Sequence, residues 1–236
     1  MTESALLASL PGRAFFEASP AEVAPRLLGM LLVSRAGRDR RTQWLAGRIV
    51  EAEAYLGPHG QPPDPAAHSF RGPTPRNSVL FGPAGHAYVY TIYGRYFCMN
   101  VSCEVEGRAG CVLLRALAPI ALDGSLARMA RNRGLDPAVF EEAIPLPAKL
   151  AAELSSGPSR LCQALGLTRA KHNGLDLLDP ASPLQLRVDG HLAGEVLVTP
   201  RIGINPANPA LDWPLRFALA GHPCVSGPRR LRERPR

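Results

Sequence analysis

Ala87-Tyr88-Val89-Tyr90-Thr91-Ile92-Tyr93-Gly94-Arg95-Tyr96-Phe97-Cys98-Met99-Asn100 is the stretch whose reading decides the fold. It is dense in β-branched and aromatic residues and is broken once, at Gly94-Arg95. It therefore predicts two strands, His86 to Tyr93 and Tyr96 to Cys103, joined by a two-residue hairpin connection. A period of two sends Tyr88, Tyr90 and Ile92 to one face and leaves Tyr93 at the tip. Upstream, Gly47 to Leu56 alternates in the same way. Ile49, Glu51, Glu53 and Tyr55 fall on one strand face, and Val50, Ala52, Ala54 and Leu56 on the other. Two carboxylates then share a face about 7 Å apart, two strand residues along. Downstream, Gly110 to Leu117 is a third apolar run with Arg115 inside it. An arginine in a buried strand requires a carboxylate partner or an anion at its end.

Between the first strand and the hairpin lies a stretch that can be neither a regular helix nor a central strand. Residues 57–77 hold six of the 24 prolines, which remove backbone donors and fix φ. A loop this long inside a compact domain is usually functional or disordered, and its flanks carry the carboxylates and the tyrosines, so it reads as functional. Elsewhere the pattern predicts a helix from Pro20 to Val33 opened by Ser19 or Pro20, a polar turn over Arg38 to Thr42, helices over Gly124 to Arg133 and Pro147 to Leu165, and a last strand near Leu215 to Ala220. There is no repeat of 20 to 50 residues.

All five tyrosines lie between Tyr55 and Tyr96, and the chain of 236 residues carries a formal net charge of +7. Carboxylates beside several amphipathic rings suit a site that stacks flat rings and moves protons near an anionic partner, for which a nucleic acid is the obvious candidate. Lys149 and Lys171 are the only lysines; the other basic residues are arginines, which offer a planar fork to phosphate and a face for stacking. The longest apolar run, Leu27 to Val33, is far short of the roughly 20 residues of a membrane span. Met1-Thr2-Glu3-Ser4 lacks the basic stretch of a secretory signal, so a cytoplasmic protein is expected. Five cysteines, none in a C-x-x-C pair, read as core rather than as disulfides or a zinc site. Glu51, Glu53, Asp64 and His68 lack compact ligand spacing, so neither metal nor another cofactor is expected. One domain over 1–227 with a basic tail over 228–236 is the simplest division.

Several of these stretches together carry a resemblance. Arg48 to Pro58, Ala66-Ala67-His68-Ser69, Thr74-Pro75-Arg76-Asn77, Ala87 to Asn100 and Val112 to Leu117 resemble, in order and spacing, the alkyladenine (3-methyladenine) DNA glycosylase family. Gly157-Pro158-Ser159-Arg160-Leu161-Cys162-Gln163-Ala164-Leu165, Arg201-Ile202-Gly203-Ile204, and Arg216-Phe217 followed by Gly221 to Ser226 resemble its later segments. The stretch from Pro58 to Asp64 departs from the family by extra residues, among them His59, Gly60, Pro62 and Pro63.

The resemblance implies an α+β fold: a single mixed domain with a curved, largely antiparallel sheet, a protruding β-hairpin and surrounding helices. It implies a monomer that acts on double-stranded DNA containing damaged purines, with no membrane partner. Alkylated or deaminated purines would be flipped out of the duplex and the N-glycosidic bond hydrolysed, leaving an abasic site. Glu53 would be the general base that prepares the water, with Tyr55, His68 and Tyr90 around the flipped base and Asn100 crowding the exocyclic amine of guanine. Tyr93 would be the wedge in the minor groove. Arg95 and Tyr96 would line the backbone, Arg115 would contact phosphate, Arg76 would be a further DNA-binding residue, and the main chain of the segment with Arg201 and Gly203 would approach the abasic strand. Both lysines lie outside every motif, so plain hydrolysis is expected rather than Schiff-base lyase chemistry.

Glu51 reads either as an ion-pair partner of an arginine or as a neighbour that tunes Glu53. Two rival functions stay open at this point. One is a hydrolase of small sugars using the Glu51 and Glu53 pair, although one strand face leaves little room to bracket a sugar from opposite sides. The other is a non-catalytic nucleic-acid module whose tyrosines only stack, and a shared scaffold without a shared site is a further possibility.

Overall fold

The computed structural model describes residues 9–37, 43–141 and 143–228. The polar turn expected over Arg38 to Thr42, the first four residues and almost all of the basic tail lie outside the described residues. Eight strands form one antiparallel sheet: β1 (Leu31–Ala36), β2 (Gln43–Tyr55), β3 (Ala87–Ile92), β4 (Tyr96–Cys103), β5 (Gly110–Ile120), β6 (Leu184–Arg187), β7 (Val196–Thr199) and β8 (Arg216–Leu219). The order is β3-β4-β5-β2-β1-β6, and β8 pairs with β2 and with β7. The 13-residue β2 is the spine. Its first half pairs with β1, Glu51 to Glu53 pair with β8, and β5 runs along its other edge.

Six helices accompany the sheet: α1 (Pro20–Leu27), α2 (Ser125–Arg133), α3 (Ala138–Glu141), α4 (Ala148–Ser155), α5 (Pro158–Ala164) and α6 (Arg169–His172). They cover one face. Ala52 and Ala54 of β2, Val89 of β3, Met99 and Val101 of β4, and Val112 and Leu114 of β5 enter the main core together with Leu27, Leu126, Leu154 and Leu161 from the helices. Burying this apolar face is the main favourable term in folding, at about 25 cal/mol for each Å² removed from water. The alternate residues of the same strands, Glu53, Tyr55, Tyr88, Tyr90, Cys98, Asn100, Cys111 and Arg115, are thereby turned to the opposite face of the sheet. The expected α+β domain with its curved antiparallel sheet and projecting hairpin is the fold observed. Among the described residues no helix is long and apolar enough to cross a membrane, and all five cysteines are buried and unpaired.

Four local expectations are corrected. The helix opened at Pro20 stops at Leu27 rather than Val33, because Gly29 takes φ +90°, a left-handed conformation that ends a helix. The apolar run beyond it becomes β1, buried on both faces between β2 and β6. The segment from Pro147 to Leu165 is two helices, broken at Gly157 with φ +114° and restarted by Pro158 at the first helical position. The hairpin loop holds three residues, since Ile92 pairs with Tyr96. Tyr93 itself sits in that loop at φ +49°. Finally, the alternation of β2 is not continuous. A bulge leaves Val50 without a partner opposite β5, so Ile49 joins Val50 in the core instead of sharing a face with Glu51.

Candidate active site

On the uncovered face of the sheet, β2, β3, β4 and β5 lay their outward side chains beneath a cleft of about 290 Å³, closed at its rim by Pro158 and by the Ile202–Ile204 main chain. Its walls are aromatic. The Tyr88 and Tyr90 rings stack with centroids 5.4 Å apart, and His68 meets Tyr90 edge-on at 4.5 Å. His68 Nδ1 hydrogen-bonds the Tyr88 hydroxyl at 3.1 Å. Partial burial, reinforced by Arg76, pushes the His68 pKa down, so the ring is neutral at neutral pH. Burial pushes the Tyr88 hydroxyl up to about 12 and raises Tyr90 further. All these phenols are therefore protonated at any working pH.

Glu53 lies one layer beneath this lining, 0% exposed. One carboxylate oxygen, Oε1, accepts the Ile202 amide at 2.7 Å and sits 3.2 Å from Arg115 Nη1. The other, Oε2, accepts the Tyr55 hydroxyl at 3.0 Å. Burial and the Glu53 charge hold the Tyr55 pKa well above its ordinary value, so Tyr55 is the donor in that bond. The three neighbours that grip Glu53 (Tyr55, Arg115 and Ile202) all line the cleft. A carboxylate offers about four acceptor positions, so Oε2, which accepts from Tyr55, has the capacity for one further donor.

Tyr55 is held from behind as well. The Arg201 guanidinium lies 4.6 Å over its ring, a contact that fixes the aromatic plane. Arg201 in turn makes a fork to Asp64 at 2.6 and 3.0 Å and donates to the Ala54 carbonyl at 2.9 Å. Both side chains are fully buried. Asp64 also accepts the Leu56 and Ala66 amides, which ties the proline-rich loop to the end of β2. At the other end of the loop, Asn77 donates to the His68 and Gly72 carbonyls and accepts from Thr74. The loop of residues 57–77 is thus tied down at both ends and delivers His68 to Tyr90.

The other expected residues fall into two groups. Asn100 lines the cleft, donating to the Tyr88 carbonyl and accepting from the Cys111 thiol. Tyr93 projects from the hairpin, 88% exposed, with Arg95 stacked 4.7 Å over the Tyr96 ring behind it. Arg76 reaches over Tyr90 at 5.5 Å, and Gly203 lies at the rim. Of the two buried arginines, Arg115 differs from expectation. Arg115 was expected to reach phosphate, but its guanidinium is buried between Glu51 at 2.9 Å and Glu53 at 3.2 Å. The side chain of Arg201 is enclosed with Asp64, while its neighbours Ile202, Gly203 and Ile204 line the cleft. Neither carboxylate lines the cleft itself: Glu53 is held by three residues that do, whereas Glu51 pairs with Arg115 and Arg216. The two carboxylates therefore do not bracket a common substrate volume, which removes the small-sugar alternative.

The sequence alone assigned no site role to Asp64, Arg216 or Ile202. Asp64 was weighed only as a metal ligand, and its pairing with Arg201 spans 137 positions, a separation that no local spacing rule detects. Ile202 acts through its amide, which its side-chain type does not advertise.

Comparison with known proteins bears on this arrangement. A family model described as Methylpurine-DNA glycosylase (MPG) matches residues 14–223. A protein of Koribacter versatilis with the provisional name 3-methyladenine DNA glycosylase is 50% identical, over 96% of this chain and 97% of its own length. Relatives with the same provisional name occur in Rhodopseudomonas palustris BisB18, 46% identical over 92% of this chain and 90% of its own, and in Methanoculleus marisnigri, 44% identical over 90% and 96%.

Proposed function

The chain belongs to the methylpurine-DNA glycosylase family, and from that membership we propose that it excises alkylated and deaminated purines, flipped out of duplex DNA into the aromatic cleft, with Glu53 preparing the attacking water. As a DNA glycosylase it hydrolyses the N-glycosidic bond and leaves an abasic site in DNA repair. The observation that carries the assignment of the site is the position of Glu53: a carboxylate without solvent exposure, held by Tyr55, Arg115 and Ile202, all three of which line the aromatic cleft.

The chemistry follows from that geometry. A flipped purine slides between Tyr55 and the His68–Tyr90 pair, each stack being worth roughly 1–3 kcal/mol. A water donating to the remaining position on Oε2 faces the sugar C1′. As the bond to the base lengthens, positive charge grows on the sugar, and the Glu53 charge stabilises it and takes the water's proton. Arg115 and the Ile202 amide hold Oε1 and so orient the plane of the carboxylate. Asn100, beside the Tyr88 carbonyl, narrows the cleft where the exocyclic amine of guanine would lie.

The leaving base sets the lesion preference. An N-alkylated purine departs as a neutral molecule from a cation and needs no acid. A neutral base such as hypoxanthine must be protonated as it leaves. The cleft is poor in acids, since His68 is already neutral and the tyrosine hydroxyls are weaker acids than usual. General acid catalysis is worth about 10²–10⁴-fold. Single-turnover release from duplexes carrying one 3-methyladenine-type or one hypoxanthine lesion is therefore expected to differ by about 10²-fold or more in favour of the alkylated base. Equal rates would show that a proton donor outside this set serves the neutral lesion. Absence of release from both, with duplex binding intact, would instead make the chain a non-catalytic binder.

Tyr93 is proposed as the wedge. A bulky residue at φ +49° and 88% exposed stores local backbone strain without contributing to the core, a pattern found at functional positions. Tyr93→Ala should leave thermal stability within about 0.5 kcal/mol, and should weaken formation of the flipped complex by about 1–3 kcal/mol. Fluorescence of a 2-aminopurine next to the lesion reads that complex directly. Undiminished flipping in the variant would exclude the wedge.

A further inference from the structure

Tyr93 borders a second hollow besides the cleft. This one, of about 470 Å³, is lined by Tyr93, Tyr96, Arg133, Ser159, Arg160 and Gln163. Its lining holds two guanidinium groups and no carboxylate. Arg133 donates to Gln163 Oε1 and to the Glu153 carbonyl at 3.5 Å, while its buried Nε has no partner. Glu153 is the acid that acts on Arg133, and no ion pair forms between them among the described residues. Arg160 is exposed, and among the described residues its side chain makes neither an ion pair nor a hydrogen bond. Two like charges held around a hollow, with a buried donor unmet, are complementary to an anion. Arg95, stacked on Tyr96 at the border, adds a third positive group.

We propose that this hollow receives a backbone phosphate of the undamaged strand, beside the base left unpaired by flipping, so that Arg133 and Arg160 make the enzyme read its substrate as a duplex. The proposal rests on the reading of Tyr93 as the wedge. Tyr93 is the common wall of two hollows. If the cleft takes the flipped nucleotide and the ring fills the gap in the stack, the hollow on the other border of the ring is left to the strand whose nucleotide stays in place. The hollow's chemistry suits a phosphodiester: charge-bearing forks for its oxygens, and the Ser159 hydroxyl and Gln163 amide for the sugar edge.

The test compares Arg160→Ala with Arg128→Ala, which removes the same charge from an exposed position outside this lining. Binding of a lesion-free duplex and of its single strand is followed by fluorescence anisotropy across a salt series. Arg160→Ala is expected to weaken duplex binding, to make the slope of log K against log salt shallower by about 0.9 for the lost phosphate contact, and to spare single-strand binding. Arg128→Ala is expected to shift neither slope. Equal losses on duplex and single strand in Arg160→Ala would show a phosphate contact that needs no complementary strand, and an unchanged duplex slope would show that no phosphate binds; either overturns the proposal. Because the readout is binding, a protein that releases no base would refute the glycosylase assignment and leave this comparison decisive.

Discussion

Glu53→Gln protein is expected to fold, to bind duplex DNA as the parent does, and to release methylated purine about 10³–10⁴-fold more slowly, the range that loss of a base together with a charge aimed at the transition state predicts. The substitution is nearly isosteric. The amide oxygen can still accept the Ile202 N–H, and Arg115 keeps Glu51 as its counter-charge at 2.9 Å, so no buried guanidinium is left alone. What disappears is the acceptor of the water's proton and the negative charge beneath C1′. Single-turnover assays on a duplex with one methylated purine, read as alkali-sensitive breaks, give the chemical step, and anisotropy gives binding. Turnover near the parent rate would assign the base elsewhere. Loss of binding together with turnover would make Glu53 a residue of the fold. The conservative partner test is Tyr55→Phe, which removes only the hydroxyl on Oε2 and should act on the rate far more weakly.

How much of this was legible in the sequence depended on the range of the interaction. The alternation along β3 was enough to put Tyr88 and Tyr90 on one face, because period-two geometry is local and covalent. The same rule failed within β2 at Val50, where a bulge set by pairing with β5 reversed the face of Ile49. It failed again at Leu31–Val33. An apolar run buried on both faces carries no alternation, so it could not be separated from a helix until its two partner strands were known. Composition revealed the proline-rich loop as a loop but not that Asp64 and Asn77 fix it. Those two side chains satisfy backbone groups and an arginine brought near only by the fold. Arg115 marks the boundary between the two kinds of knowledge. Its sequence environment demanded a counter-charge, and β2 supplied both Glu51 and Glu53.

Glu51→Ala is expected to have the largest effect on stability, because Glu51 joins three strands and the C-terminal segment. Its Oε1 accepts from Arg115 Nε at 2.9 Å, Arg216 Nε at 2.7 Å and the Ser226 hydroxyl at 2.9 Å, and its Oε2 accepts the Ser226 amide at 2.6 Å. Arg216 is fully buried and also donates to Thr199 and to the Ser226 carbonyl. Removing the carboxylate strips the nearest counter-charge from a buried arginine, which costs about 3–5 kcal/mol. The Ser226 amide left without an acceptor adds about 1–3 kcal/mol. Against a total of about 5–15 kcal/mol, the variant should be largely unfolded at 37 °C or melt well below the parent, at about 2–4 °C for each kcal/mol lost. Burial alone would raise the Glu51 pKa; Arg115 and Arg216 outweigh it and hold the group below its ordinary 4.5. A depressed folded pKa gives stability that is fully present above the unfolded value and is lost as pH falls through the folded one. Glu51→Gln removes the charge and keeps one of the two acceptor oxygens, so it should be less destabilised than Glu51→Ala and its acid unfolding limb should be flatter than the parent's, while its rate against pH, measured on the folded protein, should keep the parent's midpoint. A shifted midpoint in Glu51→Gln would mean that Glu51 tunes Glu53 across Arg115 as well as anchoring the sheet, and unchanged melting of Glu51→Ala would show that the junction stabilises little.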